Sequence, residues 1–377
     1  MLKVIVHKAG NGDCISLQTE NNFILIDGGT AQSFDDWKTQ IIGVTDKIDT
    51  LIITHIDSDH VNGIIRLLQH PQCPEIREVY FNGVEQLFET NTVENSTDKK
   101  TDRQLEALEG ELAVINENQQ IGYSEGTSLS YLLKSKNINC NPIVNGQAIF
   151  RENISEFYRD DIKFNIIGPT LEDINELKEK WKDKLRQKNI RPKIISKIYA
   201  KAFETYLSTL EDDHYINDQI TSSISKTVDE LATTQFISDT SLPNKSSLSF
   251  LLEYNHKRIL CLGDCHVETV ESWLNNREID ILDVDLVKIS HHGSKNNTSL
   301  NLLNRINCKN YFISTNGNLH SHPDLETLAR IAKVNKDKET FININYEIKD
   351  IPSWFLEEVK EHYSNIKIMM GVEGAEF

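Results

Sequence analysis

Thr54-His55-Ile56-Asp57-Ser58-Asp59-His60-Val61-Asn62-Gly63 is the stretch on which the reading of this chain turns. The apolar run Leu51-Ile52-Ile53, led in by Asp49-Thr50, reads as a short buried strand, and the amphipathic run Val61–Leu68 reads as a helix. Two histidines and two carboxylates therefore crowd one strand-to-helix turn, where side chains converge instead of alternating between faces. Four ionisable groups in six residues resist burial unless a cation sits between them. A solvated surface turn is the competing reading, and the density of ligands argues against it.

At these residues the sequence resembles the metallo-β-lactamase fold hydrolases, whose signature is His-x-His-x-Asp-His on the loop after a strand. Asp57 stands where most of that family has its second histidine. The resulting His-x-Asp-x-Asp-His form is similar to the soluble hydrolase domain of ComEC-type competence DNA-uptake proteins and their free-standing relatives. The resemblance implies an α+β chain folded as a metallo-β-lactamase-like αββα sandwich with two divalent ions, Zn or Mn. The extra carboxylate hardens the ligand set and brings Mn²⁺ in beside Zn²⁺.

The rest of the chain bounds this reading. Its 377 residues suffice for a large core, and a net charge of −17 argues against a whole surface built for nucleic acid. No stretch approaches the ~20 apolar residues of a membrane span. The opening Met1-Leu2-Lys3-Val4-Ile5-Val6 already reads as a strand, so no signal peptide is visible. Six cysteines without framework or zinc-finger spacing suggest reduced thiols and a cytoplasmic protein.

Leu2–His7 and Cys14–Gln18 read as strands around the turn Ala9-Gly10-Asn11-Gly12-Asp13, and Phe23–Ile26 as a third strand ending in Asp27-Gly28-Gly29. Asp13 and Asp27 either orient metal-binding histidines or cap their turns. Later strands are expected at Ser247–Tyr254, at Lys257–Leu262 ending in Gly263-Asp264, and at Asp283–Ile289 running into Ser290-His291-His292-Gly293-Ser294. Another, Tyr311–Ser314, leads to Asn318-Leu319-His320-Ser321-His322-Pro323. Cys265 reads as a small buried thiol and His320 as surface.

What the resemblance implies for ligands is as follows. His55, Asp57 and one of His291 and His292 hold the first ion. Asp59, His60 and His322 hold the second, with Asp264 between. His70, His214 and His256 are the histidines available for the family's separate ligand, and none follows a strand-end glycine, which makes His291 or His292 the replacement. Asp59, His292 and His322 are the expected catalytic groups, His322 acting as ligand or as transition-state donor, and Ser294 and Lys295 as phosphate contacts. Two cations ~3.5–4 Å apart activate a water for attack on phosphorus or a carbonyl carbon.

The expected organisation is one domain with its core at 1–83 and 246–377, and a largely helical insertion at 84–245 that carries some core strands. Within the insertion, Gln104–Asn116 reads as a helix, Ile143–Phe150 and Ile162–Ile167 as strands, Leu171–Leu210 as helical with a break near Pro192, and Ile216–Thr240 as helix and loop. Lys178–Lys201 is conspicuously basic. It is either a guide for DNA or RNA or a solvated helix face. The expected function is a metal-dependent phosphodiesterase or nuclease. The alternatives are a hydrolase of small phosphoesters or carboxylic esters, and a metal-binding subunit of a bacterial, defence-type assembly whose insertion docks a protein partner.

Overall fold

The computed structural model describes residues 1–88, 99–118, 128–192, 195–210 and 227–377. Among them the strands are, in chain order, β1 (Lys3–Val6), β2 (Ile15–Gln18), β3 (Phe23–Ile26), β4 (Lys47–Ile48), β5 (Thr50–Ile52), β6 (Glu75–Ile76), β7 (Val79–Tyr80), β8 (Glu156–Arg159) and β9 (Ile162–Gly168). They continue with β10 (Ser249–Tyr254), β11 (Lys257–Cys261), β12 (Leu282–Lys288), β13 (Ile306–Ile313), β14 (Thr340–Ile344), β15 (Ile366–Met370) and β16 (Gly374–Glu376). One sheet has the order β16-β1-β2-β3-β5-β7 and the other β15-β14-β13-β12-β11-β10-β9-β8, while β4 and β6 form a short parallel ribbon.

The unbroken apolar strands follow from burial on both faces. In β3, Ile24 and Ile26 point to the layer between the sheets, where they meet Phe164, Phe250, Leu252 and Leu286. Phe23 and Leu25 point the other way, to Trp37, Ile41, Ile64 and Leu67 on helices Phe34–Ile42 and Ser58–Gln69. The second sheet does the same with Leu251 and Leu260, which pack on Trp273, Leu328 and Phe355 of helices Val267–Asn276, Leu325–Val334 and Ser353–His362. Helix, sheet, sheet, helix is the resulting order of layers, the αββα sandwich.

The segment 84–245 enters this frame in two ways. Its β9 pairs antiparallel with β10, so β8 and β9 extend the second sheet. Its helices Lys99–Asn118, Leu171–Gln187 and Lys197–Ser208 send Leu105, Leu108, Leu112, Ile174, Trp181 and Phe203 into the same core as Trp37. The helical stretch from Leu171 divides on either side of Pro192.

The strand expected at Ile143–Phe150 is absent. Pro142–Val144 forms one 3₁₀ turn between Asn141 and Asn145, whose φ values of 47° and 53° lie in the left-handed region that asparagine tolerates. The Asn141 amide fixes the turn by bonding to the Phe81 N–H and to the Phe81 and Gln147 carbonyls. Part of the expected segment Ile216–Thr240, together with Lys193 and His214, falls outside the described residues.

At the rim where the strands end, hydrogen bonds cross from sheet to sheet. Leu248 N–H donates to the Thr54 carbonyl (2.8 Å), the Ser314 hydroxyl to the Gly12 carbonyl (2.7 Å), and the Asn345 amide to the His7 carbonyl (2.7 Å). No helix among the described residues is long and apolar enough to cross a membrane.

Candidate metal centre

Five strand ends deliver the site to this rim. The β1–β2 turn supplies Asp13, the end of β3 Asp27, the loop after β5 His55 to His60, the end of β11 Asp264, and the end of β12 Lys288, His291 and His292. Asp13, His60, Asp264 and His292 are buried, and each offers a ligand atom within 4.8 Å of those of the others.

The geometry converges on one oxygen. Asp264 Oδ2 lies 3.4 Å from His60 Nε2, 3.5 Å from His292 Nε2 and 3.8 Å from His55 Nε2. Asp59 flanks the His60 side, with its oxygens 3.4 Å from His292 Nε2 and 3.9 Å from His60 Nε2. Asp57 Oδ2 stands 2.8 Å from His55 Nε2 on the other side. The Nε2 atoms of His55, His60 and His292 and the Oδ1 atoms of Asp13, Asp57 and Asp264 are nevertheless buried without a hydrogen-bond partner. Orphaned buried polar atoms of this kind are rare in folded proteins. The three imidazole nitrogens face one centre beside carboxylate oxygens of Asp264, Asp57 and Asp59, and such a mix of nitrogen and carboxylate donors fits the ligand demands of divalent cations.

The far side of each ring is held as a metal-binding histidine requires. Asp27 accepts from the Thr54 N–H (2.8 Å), the Thr54 hydroxyl (2.7 Å) and His60 Nδ1 (2.9 Å). With its proton given to Asp27, the Thr54 hydroxyl keeps a lone pair for His55 Nδ1 at 3.0 Å. His292 Nδ1 donates to the Ser314 carbonyl at 3.0 Å. All three Nε2 lone pairs are thereby aimed inward.

The local field attracts cations. Burial opposes ionisation of Asp264, yet His292 and His60 outweigh it and hold the carboxyl well below its ordinary range. Burial likewise opposes charge on His60 and His292, and the surrounding carboxylates, Asp264 foremost, overcome it. Protons and metal ions compete for the same nitrogens here.

The structure separates the two adjacent histidines, which the sequence leaves unranked. His292 enters the cluster, on the Asp59–His60 side. His291 is turned outward, its Nδ1 3.0 Å from Asn297 Oδ1 and 3.5 Å from Asp239 Oδ2, while Asn244 and Asn297 donate to that same Asp239 oxygen (2.8 and 2.9 Å). The cause is backbone: φ is 46° at His291 and 53° at His292, so two successive left-handed residues turn the chain before Gly293. His322 is buried beside Asp324 (Nδ1 to Oδ2, 3.5 Å), with its ring 5.5 Å from that of His291, outside the cluster. Ser294 is buried and accepts from the Asn296 N–H, and the Lys295 N–H donates to Asp324. His320 is exposed, and burial pushes the Cys265 thiol up to about 12.

Three participants escape a motif search. Asn11 donates to Asp59 Oδ2 at 3.0 Å. Asp239 lies in a Ser/Thr-rich stretch without a recognisable pattern. Lys288, fully buried, forms an ion pair with Asp13, lies 3.9 Å from Asp264 Oδ1 and donates to the Gly263 carbonyl at 3.3 Å. A lysine closing a strand three residues before His291 was the available signal.

A family model described as the Metallo-beta-lactamase superfamily matches residues 7–115. No curated protein matches the chain. Among solved structures, the metallo-β-lactamase fold protein YhfI from Bacillus subtilis is 9% identical, with all of both chains covered and a TM-score of 0.41. Igni18, a metallo hydrolase from the archaeon Ignicoccus hospitalis, is 10% identical with 100% of each chain covered and a TM-score of 0.39. CmlA, a diiron β-hydroxylase from Streptomyces venezuelae, is 10% identical over 100% of this chain and 54% of its own, with a TM-score of 0.43.

Proposed function

The chain has the metallo-β-lactamase superfamily fold, and from that premise we propose that it is a metal-dependent hydrolase that works as a phosphodiesterase on DNA or RNA. The observation that carries the metal dependence is the set of three orphaned imidazole nitrogens gathered around Asp264 Oδ2. His55 and Asp57 would hold one ion, Asp59, His60 and His292 the other, and Asp264 would serve both. Bound there, Zn²⁺ or Mn²⁺ would activate a water and neutralise charge developing on the attacked group.

The protein's own groups do the positioning. Asp27 and Thr54 keep His60 and His55 in the tautomers that face inward. Asp59 leaves 18% of its side chain exposed where His60 leaves none, so it is the carboxylate at the mouth, steadied by Asn11. His291, its side chain 14% exposed and oriented by Asn297 and Asp239, would donate to a substrate oxygen. A carboxylate-rich, hard ligand set suits phosphate chemistry, and the basic stretch Lys178–Lys201 would bring a polyanion near.

A second reading, hydrolysis of a small phosphoester or carboxylic ester, is favoured by one feature of that stretch. Lys182 pairs with Glu179, Arg186 with Asp183, Lys188 with Glu111 and Lys201 with Glu109, which leaves less charge for a polymer. Elemental analysis followed by a cleavage panel tests both readings. Single-stranded DNA, duplex DNA, RNA and a chromogenic diester would each be incubated with Zn²⁺ or Mn²⁺. Polynucleotide cleavage is expected. Turnover of small esters alone would replace the first reading with the second, and a protein that neither binds metal nor cleaves would remove both.

A further inference from the structure

Lys288 is the one buried lysine among the described residues, and neither the metal ligands nor the proposed chemistry accounts for it. Five carboxylates surround the centre: Asp13, Asp27, Asp57 and Asp264 are buried and Asp59 nearly so. With the histidines neutral as ligands, five negative charges against one ammonium leave four. Two divalent ions cancel four. A buried ammonium without partners is strongly disfavoured, and this one is held by Asp13, by the Gly263 carbonyl and by the proximity of Asp264 Oδ1. It therefore leaves Asp264 Oδ2 as the oxygen turned toward the three imidazoles, and it occupies Asp13, whose other oxygen lies 3.5 Å from His292 Nδ1.

We propose that Lys288 is a fixed positive charge of the metal centre. It keeps Asp13 out of the ligand set and limits the charge that the centre takes up to that of two divalent ions. The inference rests on the two-ion reading above and deepens it. Removing the ammonium would both strengthen the field on the ions and free Asp13 to bind them, so the two effects act in one direction.

The test is metal binding rather than turnover. Purified wild-type protein, Lys288→Met and the double variant Asp13→Asn/Lys288→Met would be stripped of metal and titrated with Mn²⁺ and Zn²⁺ against a competing indicator. Bound metal would be counted independently. We expect two ions on the wild type and at least ~10-fold tighter binding to Lys288→Met, the scale of one unit charge acting across a few ångströms of a well-screened site. The double variant, which loses one charge of each sign, should return to within about threefold of wild type on the same scale. Wild-type affinity in Lys288→Met, or a double variant no nearer to wild type than the single, would overturn the proposal and leave the hydrolase reading standing. A single variant that does not fold passes the decision to the double variant, where wild-type affinity supports the charge pairing and its loss refutes it. A wild-type protein that binds no metal would instead fail the underlying reading, and this inference with it.

Discussion

Asp264 is the side chain whose loss should reach furthest, because three imidazole nitrogens face its Oδ2. Asp264→Ala is expected to lose both ions in elemental analysis, and loss of one alone would show that it serves a single ion. His292→Ala should lower metal content. His291→Ala should keep its metal and lose about a hundredfold in turnover, the usual effect of a missing proton donor. The cluster around His55 was legible because the histidines and carboxylates of one turn are neighbours in sequence. The roles of His291 and His292 were not, since sequence order says nothing about two left-handed residues that swing one ring in and the next out. A residue outside the centre gives a pH prediction. Burial drives the His7 pKa from 6.5 down to about 4, against Gln40 and Glu373, which favour the charged form. Its ring is held neutral between Gln40 Oε1 (2.8 Å) and Ser16 Oγ (2.9 Å). The unfolded chain takes up the proton first, so stability is full above pH 6.5 and falls between 6.5 and 4. Urea melts should show about 2 kcal/mol less contribution from this residue at pH 5 than at pH 7. In His7→Gln that share of the slope should vanish, and equal slopes would exclude His7 as the source.

Helix Ser58–Gln69 shows how an element, rather than a residue, aims the site. It starts on the metal loop and presses so closely on the turn after β3 that a Cβ on Gly63 would sit 1.8 Å from the Gly28 carbonyl oxygen. Two backbone bonds close the contact, Gly28 N–H to the His60 carbonyl (2.8 Å) and Gly63 N–H to the Gly29 carbonyl (3.0 Å). Gly63→Ala must push the helix outward and carry His60 with it. Thermal melts should report a loss of about 3 kcal/mol, at the upper end for overpacking, and metal content should fall with it. Unchanged stability would mean that the helix slides without strain. Most elements were readable where apolar period and turn chemistry agreed. The failure at Ile143–Phe150 came from scoring Ile143 and Val144 as strand when Asn141, Asn145 and Gly146 had already committed the chain to turning. No local signal marks β16, because three residues become a strand only through pairing with β1.

For the molecule as a whole, the αββα order was legible through the family motif and the doubly buried strands. The way the helices of 84–245 share a core with Trp37 was not, since such packing is settled between distant segments. The basic stretch also reads differently once folded, as many of its charges meet acids. If it guides a polynucleotide, Lys184, Lys188 and Arg191 changed together to Glu should weaken binding and flatten the salt dependence by about 0.9 per lost contact on duplex DNA. Cleavage of a small diester should not change. A salt slope that ignores the three reversals would exclude the stretch as the guide. The hydrogen bonds that cross the rim at Thr54, Gly12 and His7 have a consequence in time rather than in strength. Because they tie the two sheets together at the rim, parting the sheets there would break all three bonds at once. Anything bound at the centre would then leave on the side of Asp59, where 18% of that side chain is exposed. Exchange should therefore run at a pace set by the protein, indifferent to how eagerly the surroundings compete for the ion.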